Sequence, residues 1–413
     1  MSDFASSGSD ELTVPEGTRL VHIGPPKTGT TAIQFALMRR RAELAAHGVV
    51  FPGTGARPRA AGWAVVGRGV PRGRQSPTMA DWQALVDEVT AAGDQRVVVS
   101  NESFADGHAD AVQTIVDGLG GERIHVVHTV RRVDKLLNSH WQQRVRAGLT
   151  VPYDDWLRIV LGERNPENHH WDGFWHHHDL ADVMDRWIKA AGRDRISLVI
   201  ADEGDHELLP RLFERFLALP SGFLALDADD ANRSLSRNET ELMRRLHELG
   251  KSSGWDDRLF REVLRFGVTA ALTRRPRDHD DTRIELPAWA ADRAAELNEE
   301  RIEIVRSLGV RVIGDPELLR SPSGSDESAS DAETRISLVT AAETIAAAID
   351  AGEKRRVAAE RTAEQYRAAA RRQRTPSRAQ LQSPRVIDST SRELLAEVRR
   401  RALRKVGLRR TTS

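Results

Sequence analysis

The residues best equipped for chemistry lie in "LVHIGPPKTGTT", Leu20 to Thr31. An apolar, β-branched run breaks at Gly24, Pro25 and Pro26 and restarts as a helix. The junction carries Lys27, Gly29 and three hydroxyls, those of Thr28, Thr30 and Thr31. A strand that turns into a helix exposes unpaired N–H groups, and the helix dipole adds positive partial charge to them. Lys27 contributes a full charge at the turn and the threonines contribute donors. The loop therefore suits a doubly anionic group with a bridging oxygen, a phosphate or a sulfate. It is not the nucleotide-triphosphate loop G-x-x-x-x-G-K-[ST], because Lys27 precedes Gly29 instead of following it. A threonine-capped turn with a surface lysine is the plainer reading, and it uses fewer of the groups present.

A second basic segment, "RRVDKLLNSHWQQRV", runs from Arg131 to Val145 after the apolar run "RIHVVHTV". Arg131 falls at the strand end, and Ser139 falls eight residues later, two helical turns along. A guanidinium fork and a hydroxyl leaving the same sheet edge as Lys27 could grip a second, separate phosphate. Surface ion pairs for Arg131 and Arg132 and a packed Ser139 are the alternative.

Taken together, the two segments resemble the sulfotransferase family that uses 3′-phosphoadenosine 5′-phosphosulfate. "PKTGTT" follows a first strand and R-(x)7-S opens a helix after a later one. The resemblance spans about residues 17 to 319 and includes the strand end "VVVSNESF" and the closing "GVRVIGD" in the expected order. It implies that Lys27, Thr28, Gly29, Thr30 and Thr31 bind the 5′-phosphosulfate and that Arg131 and Ser139 bind the 3′-phosphate. It also implies a P-loop-like three-layer fold and no metal requirement. Many relatives have proline two residues after the arginine; this chain has Val133, which changes local stiffness more than charge.

Sulfuryl transfer needs a base for the acceptor's proton, a cation at the leaving oxygen and donors for the equatorial oxygens. Lys27 fits the second. Family members use a histidine or glutamate as base, often in the loop after the first helix, yet "PGTGARPRAAGWAVVG" holds neither. Glu102 in "SNESF" is the choice made here, with His140 and His47 as rivals. A structural carboxylate paired with an arginine is the competing role for Glu102. Arg233 in "NRSLS" either reaches the nucleotide or belongs to an Asn/Ser cap before "RNETELMRRL".

Two features invite other chemistry. "NHHWDGFWHHHDL", Asn168 to Leu180, reads as a loop; adjacent histidines there seldom converge tetrahedrally, and no cysteine or H-x-x-x-H spacing supports them, so no metal is expected. Trp141, Trp156, Trp171, Phe174 and Trp175 suit an aryl or sugar pocket, or a core.

The elements that must position these groups follow from hydrophobic patterning. Six β-branched runs, near 20, 50, 98, 127, 198 and 312, alternate with helical patterns. This predicts an α/β fold with a parallel sheet and helices on both faces, ligands sitting at the carboxyl ends of the strands. The first helix is expected from about Thr30 to His47, stopped by Gly48. The stretch from Phe51 to Met79 is expected to be a long loop with one short helix.

Six segments follow: a disordered 1–16, a sulfotransferase-like 17–320, a linker at 321–334, a separate helix at 335–374, a second linker at 375–390 and a basic amphipathic helix and tail at 391–413. Residues 371–413 carry 13 basic and 3 acidic side chains, a basic arm on a body of net −10. That arm suits a partner protein or an anionic surface better than nucleic acid, since it has no aromatic residues. The 413 residues include no cysteine, which excludes disulfides and thiol nucleophiles. No window is apolar enough to span a bilayer, and a cytoplasmic protein is expected. The expected acceptor is a small molecule or glycan. The alternatives are an inactive nucleotide-binding scaffold and a P-loop kinase, which would need a lysine after the second glycine and a magnesium-holding aspartate at a strand end.

Overall fold

The computed structural model describes residues 12–69, 76–226, 233–256, 260–276, 282–321 and 335–374. The linkers at 322–334 and 375–390 and the basic helix from 391 lie outside them. So does Asn232, while the Phe51–Met79 stretch is described except for 70–75.

Six strands form one parallel sheet in the order β2-β3-β1-β4-β5-β6: β1 Arg19–His22, β2 Val49–Val50, β3 Arg96–Ser100, β4 Ile124–Val130, β5 Ile196–Ile200 and β6 Arg311–Ile313. All six apolar runs of the sequence become strands. The lack of polar alternation in β1, β3, β4 and β5 has a physical cause, because both of their faces are covered.

The alternation of side chains across the pleat shows the two layers. Val21, Val97, Val99, Val126, Leu198 and Ile200 face one core. It is completed by α3 (Arg59–Val65), α4 (Met79–Ala91), α5 (Ala109–Leu119) and α9 (Leu180–Ala191). Leu20, Val98, Val127 and Val199 face the other, with α1 (Thr30–Arg39), α2 (Arg41–Ala46) and α10 (Leu208–Leu217). A third core is helical: α6 (Val133–Arg146), α7 (Tyr153–Val160), α8 (His169–His178) and α11 (Arg237–Ser252) pack with a π-helical segment at Phe260–Val268 and the Ala288–Ser307 helix.

Four segments differ from the sequence reading. Residues 12–16, expected to be disordered, are packed on the body: Val14 is buried and its N–H donates to the Phe216 carbonyl at 3.0 Å. The helix expected over Thr30–His47 breaks at Arg40 (φ −92°, ψ 9°) into α1 and α2, which leaves Ala45 exposed. The histidine-rich Asn168–Leu180 is helical, because Asn168 accepts N–H bonds from His170 (2.9 Å) and Trp171 (3.4 Å) as an N-cap. The helix expected to stand apart from 335 is Leu338–Arg374, and the chain divides into compact units of residues 1–352 and 353–413. Its first turns belong to the body: Ala348 and Ala351 pack on the helical core, and Glu343 binds Arg275 at 2.8 Å. Among the described residues no helix is long and apolar enough to cross a membrane.

Candidate active site

The loop after central β1 opens at the carboxyl edge of the sheet. Gly24 has no room for a side chain there: a Cβ would meet His22 Nε2 at 2.6 Å and Thr129 Oγ1 at 3.3 Å. Lys27 takes φ +77°, a left-handed conformation that costs a non-glycine residue energy and clusters at functional sites. Gly29, at φ +89°, begins α1, and no side chain caps that helix. No threonine caps that helix, and Thr30, Thr31 and Ala32 of its first turn line the cleft.

The second segment meets the first directly. Arg131, just past β4, donates from Nη1 to the Lys27 carbonyl oxygen. That bond joins residues 104 apart in sequence and holds the strained turn in place. Lys27, Thr28, Gly29, Thr30, Thr31, Arg131 and Ser139 all line one cleft of about 620 Å³. Gln142, Arg146, Asp202, Glu203, Asp205, His206 and Arg233 line it too.

The loop hydroxyls are not equivalent. Thr28 Oγ1 donates to Pro25 O at 2.8 Å and so shapes the loop, Thr30 is buried, and Thr31 is exposed. The Ser139 hydroxyl has no hydrogen-bond partner among the described residues. Arg146, two turns beyond Ser139, has a buried Nε without a partner. It escaped the sequence reading, although the spacing Ser139, Gln142, Arg146 marks one helical face.

Lys27, Arg131 and Arg146 bring positive charge together in the cleft. Burial, reinforced by Arg146 and Arg131, pushes the Lys27 ammonium down to about 8, against the opposing pull of Glu102. An incoming dianion would favour the charged ammonium and raise that value again. Arg131 is occupied by a carboxylate: Nε and Nη2 each bind Glu203 at 2.6 Å, and although burial acts to raise the Glu203 pKa, Arg131 holds it below its usual range. Arg233 lines the cleft while its fork holds Glu239 at 2.6 and 2.7 Å. Ser236 meanwhile caps α11 in a capping box with Glu239, the serine cap expected of "NRSLS".

The expected base is held by an arginine. Glu102 begins the short turn after β3, pairs with Arg57 and accepts from Gln34 Nε2 at 3.4 Å, and it does not line the cleft. His47 lies edge-on to Phe223 at 5.1 Å, away from the cleft lining. His140 is buried against Trp156 and Phe174, and burial depresses its pKa well below the ordinary value. Of the aromatic group, Trp141, Trp156 and Phe174 are core. Trp171 and Trp175 border a different cleft of about 310 Å³.

No protein-family model matches the chain, and no curated protein matches it. Among solved structures it is similar to a sulfotransferase from Alicyclobacillus acidocaldarius, at 14% sequence identity and a TM-score of 0.35. The match covers 59% of this chain and 98% of that one. At that distance the likeness assigns no residue a role, and the functional reading rests on the cleft itself.

Proposed function

We propose that the cleft binds 3′-phosphoadenosine 5′-phosphosulfate and that the chain transfers its sulfuryl group to a hydroxyl or amine of a small molecule or glycan. The observation that carries this reading is the bond from Arg131 to the Lys27 carbonyl. It brings the anion-binding groups of the β1 loop and of the β4 end into one cleft, where a nucleotide phosphorylated at both 3′ and 5′ positions could meet both. Thr30, Thr31 and the α1 N–H groups take the sulfuryl oxygens; Arg131, Ser139 and Arg146 take the 3′-phosphate.

In the reaction the acceptor oxygen gives up its proton and bonds to sulfur. The bridging S–O bond breaks, and adenosine 3′,5′-bisphosphate leaves with its new negative charge beside Lys27. Glu102 is proposed as the base, a role that requires an incoming acceptor to separate it from Arg57. The chain layout proposed is a catalytic body at 17–320 with a helical extension and a basic tail that touches a partner protein or an anionic surface.

The test is transfer from sulfur-labelled donor in an acceptor screen. Labelled product is expected, with Glu102→Gln losing about 10²- to 10⁴-fold in kcat at unchanged donor affinity. Consumption of ATP with magnesium instead of the sulfated donor would overturn the reading. Full kcat in Glu102→Gln would remove that residue alone.

A further inference from the structure

Three histidines converge beside the cleft. His140 lies on α6 next to Ser139, while His177 and His178 form the last turn of α8. Their rings sit 5.5 Å (His140–His177), 5.8 Å (His140–His178) and 4.3 Å (His177–His178) apart, centroid to centroid. One ligand nitrogen from each lies within 4.8 Å of the other two. All three side chains are deeply buried, with exposures of 7%, 9% and 2%.

Their hydrogen bonding is incomplete in a specific way. His177 places Nδ1 3.1 Å from Asp106 Oδ1, which leaves Nε2 buried and unpartnered. His178 has neither ring nitrogen partnered. Buried polar atoms are normally paired, so orphaned nitrogens at one point call for a missing partner. Water or a cation supplies it, and three imidazoles with a carboxylate behind one of them favour a cation.

We propose that His140, His177 and His178 bind one zinc-class divalent ion, with Asp106 orienting His177 and water or an anion at the fourth position. Tetrahedral Zn–N bonds of about 2.0–2.1 Å place ligands about 3.3 Å apart, which small ring rotations reach from the present spacing. Trp156 and Phe174 form the apolar wall. His178 borders the 310 Å³ cleft, which gives the ion a way in. Arg301, which donates to the His178 carbonyl, opposes the site as a cation, as do Lys27 and Arg144 beside His140; Asp106 faces His177, and Asp179 offsets Arg301. The proposal is independent of sulfuryl transfer.

The test uses full-length, untagged, chelator-treated protein titrated with Co²⁺, read by visible absorption and elemental stoichiometry, then chased with Zn²⁺. One Co²⁺ per chain with intense tetrahedral bands, displaced by Zn²⁺, is expected. His178→Gln should abolish the bands, Asp106→Asn should weaken affinity about 10- to 100-fold, and the paired control His169→Gln with His170→Gln should leave them unchanged. Absence of stoichiometric Co²⁺ in the wild type overturns the proposal. Wild-type uptake by folded His178→Gln also does so. Should His178→Gln fail to fold, Asp106→Asn decides, and affinity equal to wild type contradicts the site.

Discussion

The Arg131 side chain has two partners that pull in different directions. Its link to the Lys27 carbonyl builds the site, whereas its bidentate pair with Glu203 fills the fork a phosphate would occupy. A bound 3′-phosphate must displace that carboxylate and overcome its charge. Glu203→Gln should therefore tighten adenosine 3′,5′-bisphosphate about two- to fivefold, the worth of a partly exposed ion pair, as read by calorimetry. Unchanged or weaker affinity would mean that Glu203 does not compete. Residues inside short motifs were legible in the sequence: Lys27 to Thr31, Arg131 and Ser139 occupy one cleft. Glu203 was not, because it reaches Arg131 from 72 residues away and no periodicity signals such a contact. Glu102 shows the limit from the other side. A carboxylate at a strand end can face the ligand or a neighbouring arginine, and Arg57 lies in a loop whose path no pattern fixed.

At the scale of elements, the departure at Val133 has a physical explanation. The Val133 N–H donates to Asn298 Oδ1 at 2.8 Å, so the Ala288–Ser307 helix caps α6 from outside. Proline there would have no N–H to give. A comparable constraint governs α3, where Gly62 packs on Asn101 at the end of β3. A Cβ on Gly62 would lie 2.0 Å from Asn101 Nδ2, which itself donates to Pro58 O at 2.9 Å. Gly62→Ala should cost about 1–3 kcal/mol in denaturant unfolding by forcing α3 off that edge. A cost near zero would show that Asn101 moves freely. The strands β1, β3, β4 and β5 were legible because they are buried on both faces. The α1–α2 break and the helical histidine segment were not, since one turns on a single residue's dihedrals and the other on an N-cap preceding a run without helical periodicity.

The whole molecule hides histidines in and around its sheet. Burial pushes His22 and His128 down to about 3, and His125 and His247 down to about 4. Unfolded, each titrates near its ordinary value of about 6.5. Between there and the folded values the unfolded chain binds more protons, so stability is lost as pH falls through that window. The melting temperature should decline steadily from pH 6.5 toward 4, and a flat profile would contradict the burial of these rings. The same sheet sets the β1 and β4 ends side by side, and the central claim is that this edge grips a nucleotide phosphorylated at two places. Calorimetric titration of wild type and Lys27→Ala with adenosine 3′,5′-bisphosphate, beside ATP with magnesium, tests it most directly. The account predicts stoichiometric binding of the bisphosphate, no comparable binding of ATP, and loss of the bisphosphate signal in Lys27→Ala. Preference for ATP, or undiminished bisphosphate binding in Lys27→Ala, would contradict it.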